Sequence, residues 1–118
     1  IHIVLDKAAI DLYDYKRKHG LIREDDIKVV MKGVLCGLNY LHSKGISHLD
    51  IKAENVLLLR VVRPHELKAT DVQLCDFGLA VRQKDPKEFV HGCRGTFGFM
   101  APELVTTEKG HGRSADMW

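Results

Sequence analysis

The sequence predicts an α+β fold, and three observations predict it. Between Glu24 and Ser43, the residues Ile27, Val30, Met31, Val34, Leu35, Leu38 and Leu41 recur at three- and four-residue intervals, the spacing that lines one face of a helix. Two short apolar runs, residues 56–59 and 72–75, have the length and Val/Leu content of strands. Polar residues that suit chemistry, among them His48, Asp50, Lys52, Asn55 and Asp76, crowd the edges of these runs.

Taken in order, Ile1-His2-Ile3-Val4-Leu5 is apolar and β-rich and predicts a strand. Asp6-Lys7-Ala8-Ala9 follows as a connector. Residues 10–18 read as a short amphipathic helix that stops at Gly20. The long helix carries Glu24, Asp25 and Asp26 in its first turn, which suits the helix dipole, and Lys44-Gly45 ends it. Its seven apolar residues, Met31 included, are assigned to the core. Residues 60–71 are polar, contain Pro64 and read as a surface insertion, tolerated because loop-closure entropy grows slowly with length. Asp85-Pro86 marks a loop, and residues 106–112 form a polar, glycine-bearing one.

Composition narrows the function classes. Hydrophobic residues make up 45% and charged residues 29% of 118, ordinary values for a globular chain with a modest core. A net charge of +2 gives no argument for nucleic acid or an acidic membrane. No apolar run reaches membrane-spanning length. Cys36, Cys75 and Cys93 are odd in number and widely spaced, which fits reduced thiols in the cytoplasm or nucleus. A zinc site from His91, Cys93 and His111 lacks any paired C-x-x-C. His2, His19, His42 and His65 read as surface or loop residues.

The chemistry concentrates in His48-Leu49-Asp50-Ile51-Lys52-Ala53-Glu54-Asn55, an H-x-D-x-K-x-x-N pattern followed by the apolar run from Val56. Asp50 can accept a hydroxyl proton. Lys52 projects to the same side on an extended backbone, so its ammonium can meet phosphate charge. Asn55 offers a neutral oxygen to a hard cation such as Mg2+. Downstream come Asp76-Phe77-Gly78, then Gly95-Thr96-Phe97-Gly98-Phe99-Met100-Ala101-Pro102-Glu103, then Asp116-Met117-Trp118.

In this order the four motifs resemble the signature set of protein kinases. The resemblance spans essentially the whole chain and implies a kinase-like fold, seen in part: mainly the helical C-lobe, with short strands around the catalytic loop. The chain, 1–118, is expected to be a piece of such a domain, lacking the Gly-rich loop, its lysine and the distal C-lobe. In isolation it is expected to be inactive and marginally stable.

The resemblance further implies ATP and Mg2+ as cofactors and a protein substrate. Asp50 becomes the proton acceptor, Lys52 the phosphate contact and Thr96 the residue that bonds both. Asn55 and Asp76 become the Mg2+ ligands. Leu5, the backbone of Asp6 and Ala8, Leu57 and Cys75 are expected to surround adenine. His48 is expected beneath the loop, bonded to backbone, with Asp116 tethering the loop and Glu103 awaiting an arginine elsewhere. The form with lysine two residues after the aspartate points to the serine/threonine class. The alternative is a pseudokinase that acts as an interaction scaffold.

Two departures from the family belong together. Position 49 is leucine where most relatives carry the arginine that meets a phosphate on the activation segment. Residues 79–100 contain no serine or tyrosine, Thr96 is their only threonine, and Gly92 stands where many relatives are phosphorylated. Both halves of that charge switch are absent, so control is expected from flanking domains or regulatory partners. Leucine in this place also occurs in some calcium/calmodulin-regulated and death-associated kinases.

Overall fold

A computed structural model describes residues 2, 4–60, 63–85, 92, 94–106 and 112–118. They fall into two units, Ile1–Val34 with Ala53–Leu74, and Leu35–Lys52 with Cys75–Trp118. The longest helix belongs in part to each.

In the first unit, Asp11 decides where regular structure changes type. Strand β1 (Ile10–Asp11) ends on it, and its carboxylate accepts the Asp14 amide at 2.8 Å, capping helix α1 (Leu12–His19). The helix therefore starts two residues later than the apolar pattern indicated. It stops where expected, at Gly20, whose φ of 76° is costly for any residue with a Cβ. Strand β3 (Val56–Leu58) lies between β1 and β4 (Val72–Leu74), antiparallel to both, with Ile10 opposite Leu58 and Leu57 opposite Gln73.

Helix α2 runs from Glu24 to Ser43, as the periodicity predicts. Its apolar residues split into two rows four residues apart. Val30, Val34 and Leu38 are buried, whereas Ile27, Met31 and Leu35 are 45, 47 and 44% exposed. The assignment of all seven to the core is corrected: only one row meets packed neighbours. Gly33 lets that row approach β4, since a Cβ there would sit 2.5 Å from Val72 Cβ.

Residues 60–71 are more fastened than a surface insertion implies. Arg60 donates twice to Asp71, both at 2.8 Å, the Leu59 amide donates to the Asp71 carbonyl at 2.9 Å, and Leu67 is buried. The His65 amide donates to the buried Asp26 carboxylate at 2.9 Å. Of the strand expected over residues 1–5, Ile1 and Ile3 lie outside the described residues. His2, Val4 and Leu5 are not in a strand, because none of them has a ladder partner among the described residues.

In the second unit, β2 (Ile46–Ser47) pairs antiparallel with β5 (Val81–Arg82), a two-residue ladder the sequence reading did not contain. Helix α3 (Pro102–Val105) and a 3-10 turn (Arg113–Met117) follow. Leu49, Ala101, Leu104 and Ala115 form the apolar cluster, with Val81 and Met100 against it.

Candidate active site

The loop after β2 is held by one carboxylate. Asp116, in the Arg113–Met117 turn, accepts the amides of His48 at 2.9 Å and Leu49 at 2.6 Å. This is the tether expected of Asp116, and it is buried. It fixes two consecutive peptide groups, which lets Leu49 stay at φ 66°, a left-handed conformation that costs a non-glycine residue about 1–2 kcal/mol. Burial of the leucine side chain in the apolar cluster, 4% exposed, offsets part of that.

His48 is fully buried. Its Nε2 donates to the Cys75 carbonyl at 2.9 Å, and its Nδ1 accepts the Asp50 amide at 3.3 Å. Both ring nitrogens are thus committed to backbone in one neutral tautomer, which leaves no lone pair for base chemistry. The Phe77 ring packs on it with centroids 5.2 Å apart.

Beyond His48 the loop gathers three side chains. Asp50 Oδ1 accepts both the Thr96 amide at 2.8 Å and the Thr96 hydroxyl at 2.7 Å. Lys52 Nζ lies 3.0 Å from Asp50 Oδ2 and donates to Thr96 Oγ1 at 2.7 Å. The approach of Thr96, 46 residues away in sequence, depends on its neighbour. Gly95 has φ 120°, and a Cβ there would lie 2.8 Å from the Leu49 carbonyl oxygen. Only glycine brings this segment so close to the loop. Burial pushes the Asp50 carboxyl up. The Thr96 hydroxyl, the Lys52 ammonium and the Thr96 amide more than offset it and hold Asp50 below the usual carboxylate range. The result is an ionised carboxylate in fixed orientation beside an ammonium.

The other expected site residues are placed as follows. Asp76 is exposed, sits at φ 60° and accepts the Gly78 amide at 3.2 Å. Asn55 is buried at the end of a 3-10 turn (Ala53–Asn55) in the other unit. Each offers an oxygen of the hard type that Mg2+ prefers, and Mg2+ fills its remaining positions with water and substrate phosphate. Among the described residues, no group of three or more His, Cys, Asp or Glu is arranged to hold a metal. Cys75 and Leu57 are half-buried.

Leu5 is 81% exposed, Asp6 is exposed and Ala8 is half-buried. Leu5 was expected to face a ligand. No strand neighbours its position among the described residues. Glu103 makes no ion pair among the described residues, and a zinc set of His91, Cys93 and His111 lies outside them.

His42 was read as a surface residue and is instead part of the loop's support. Its Nε2 donates to Asp116 Oδ2 at 2.7 Å, the oxygen that also takes the His48 amide. Its position in the last turn of α2, close before β2, was the available signal. Ser47 and Gln83, bonded side chain to side chain at 2.8 Å and both buried, carry no sequence signal.

A family model described as the protein kinase domain matches residues 1–118. Among curated relatives, the calcium/calmodulin-dependent protein kinase cmkA of Emericella nidulans is 37% identical over 108 residues, covering 92% of this chain and 25% of that protein. Human death-associated protein kinase 2 is 39% identical over 110 residues, covering 92% of this chain and 28% of its own length. Human ribosomal protein S6 kinase alpha-1 is 35% identical over 119 residues, which is all of this chain and 15% of that one. The chain thus spans about a quarter of the length of the first two.

Proposed function

The chain belongs to the protein kinase family, and from that premise we propose that it is the catalytic-core portion of an ATP-dependent serine/threonine protein kinase. The observation that carries the reading is the Asp50–Lys52–Thr96 cluster. Phosphoryl transfer depends on positioning and charge neutralisation more than on covalent help. Asp50, ionised and fixed, orients a substrate serine or threonine hydroxyl and takes its proton. Its low basicity suits late transfer, once bonding to phosphorus has made the hydroxyl acidic. Lys52 sets positive charge where the transferred group gains negative charge. Thr96 locks the two together. ATP with Mg2+ supplies the phosphoryl group, and Asn55 and Asp76 are the residues suited to hold the ion. Leu57, Cys75 and the backbone near Leu5, Asp6 and Ala8 are the proposed nucleotide surroundings.

Activation-segment phosphorylation is not the proposed means of control. Leu49 is packed among Ala101, Leu104 and Ala115 and cannot meet a phosphate, so control falls to flanking domains or regulatory partners.

The test is transfer from ATP-Mg2+ by the full-length protein to a pool of serine, threonine and tyrosine peptides. Transfer to serine or threonine that Asp50→Asn and Asp76→Asn both abolish is the expected result. A well-folded wild type with no transfer would move the assignment to a scaffold built on this fold.

A further inference from the structure

Away from the Asp50 cluster, the second unit contains a cleft of about 710 Å³ lined by Ser43, Lys44, Gly45, Arg82, Gln83, Lys84 and Arg113. Among the described residues that line it, four of seven are cationic and none is acidic. In a chain of net charge +2 with 16 acidic residues, such local imbalance is not set by composition. Elsewhere cations find carboxylates: Arg17 pairs with Asp14, Lys28 with Glu24, Arg60 with Asp71. Lys44, Arg82 and Arg113 make no ion pair among the described residues.

A second, independent observation marks Arg113. Its Nε is buried and has no hydrogen-bond partner among the described residues. A buried donor without an acceptor is a rare and unfavourable condition. The guanidinium lies beside Gly45, its Nη2 3.7 Å from where a Cβ would stand, an ordinary contact distance. The cleft floor is firm. The Gln83 amide donates to the Gly45 carbonyl at 2.7 Å, and the β2–β5 ladder continues from it.

We propose that this cleft binds a phosphorylated segment of a protein partner, with Arg82 and Arg113 taking the phosphate. Two guanidinium forks and the Lys44 ammonium match a phosphate dianion in charge and donor geometry better than they match a single carboxylate. The cleft's volume accommodates several residues flanking the phosphate. The site is separate from Asp50, Lys52 and Thr96, so it is a docking site and takes no part in transfer.

The experiment uses the full-length protein carrying Asp50→Asn, so that binding is measured without turnover and independently of the kinase reading. A fluorescent pool of phosphoserine and phosphothreonine peptides is titrated beside the same peptides unphosphorylated, with inorganic phosphate as competitor. Phosphate-dependent binding is expected, weakened roughly ten- to a hundredfold by Arg82→Gln with Arg113→Gln, as loss of charge-assisted bonds implies. Arg113→Lys, which keeps charge but loses the fork, falls between. Melting curves confirm that the variants are folded. Were the double variant to unfold, Arg82→Gln alone and Lys44→Gln alone carry the test, each expected to weaken binding. Equal affinity for phosphorylated and unphosphorylated peptides, binding that survives folded charge-removal variants, or binding of inorganic phosphate alone would each overturn the proposal.

Discussion

Two aspartates, Asp50 and Asp71, are each gripped by a cation, and each is held below the usual carboxylate range, yet for different reasons. Asp71 takes a two-pronged grip from Arg60, 11 residues away, and the pair closes a local loop. Asp50 is pushed up by burial and brought down by Thr96 from 46 residues away, with Lys52 adding its charge. The first pair is a fastening that any nearby acid and base could make. The second exists only because Gly95 and Asp116 bring separate segments of the chain to one loop. What sets the Asp50 pair apart is the long-range support that orients it, and the pairing alone says little.

The comparison breaks most sharply at Asp50. Asp50→Asn keeps the shape and removes the proposed proton acceptor, and kcat for peptide phosphorylation in the full-length protein should fall by about 10²- to 10⁴-fold, with the melting temperature little changed. Thr96→Val removes the hydroxyl that donates to Asp50 and accepts from Lys52. A loss of kcat of roughly tenfold or more is expected. Because that hydroxyl lowers the Asp50 pKa, the acid limb of the pH–rate profile should move to higher pH, while Thr96→Ser restores the wild-type limb. An unmoved limb would mean that Thr96 only shapes the loop.

Acid sharpens the contrast further. Both carboxylates have folded-state values below their unfolded ones. Each therefore stabilises at neutral pH, and that contribution is lost as pH falls below the ordinary carboxylate value of about 4 and through the lower folded value. Melting of the full-length protein across this range should decline less steeply for Asp71→Asn than for wild type. The smallest effect belongs to Arg60→Gln, expected to lower the melting temperature by a few degrees with kcat unchanged, since the pair is only partly buried, its Arg60 side chain 56% exposed and its Asp71 side chain 9%. A large loss of activity in that variant would erase the distinction between the two aspartates.

Much of the fold and site was legible in the sequence, for physical reasons. Helix α2 spans 20 residues, so its period, acidic first turn and glycine stop all had room to register. The motif residues around Asp50 carried the resemblance because phosphoryl transfer restricts residue types at fixed spacing. What escaped was set by pairing across sequence distance. The β1 and β2–β5 ladders are two residues long, too short for alternation to show. The Arg60–Asp71 pair follows from β3 lying antiparallel to β4, which brings the residues flanking both strands together. The split of the α2 face into a buried and an exposed row depends on which neighbours exist, and periodicity cannot report that.

Leu49 has a bearing on mutational history. A kinase that took up charge-based switching from this starting point would need two changes, each harmful or idle by itself. Arginine arriving first would place its charge among Ala101, Leu104 and Ala115, where an unpaired charge is strongly disfavoured. A hydroxyl arriving first near Gly92 could be phosphorylated, yet would find leucine at position 49. The apolar cluster thus couples the two positions: with Leu49 packed in it, neither change alone makes the loop respond to phosphate.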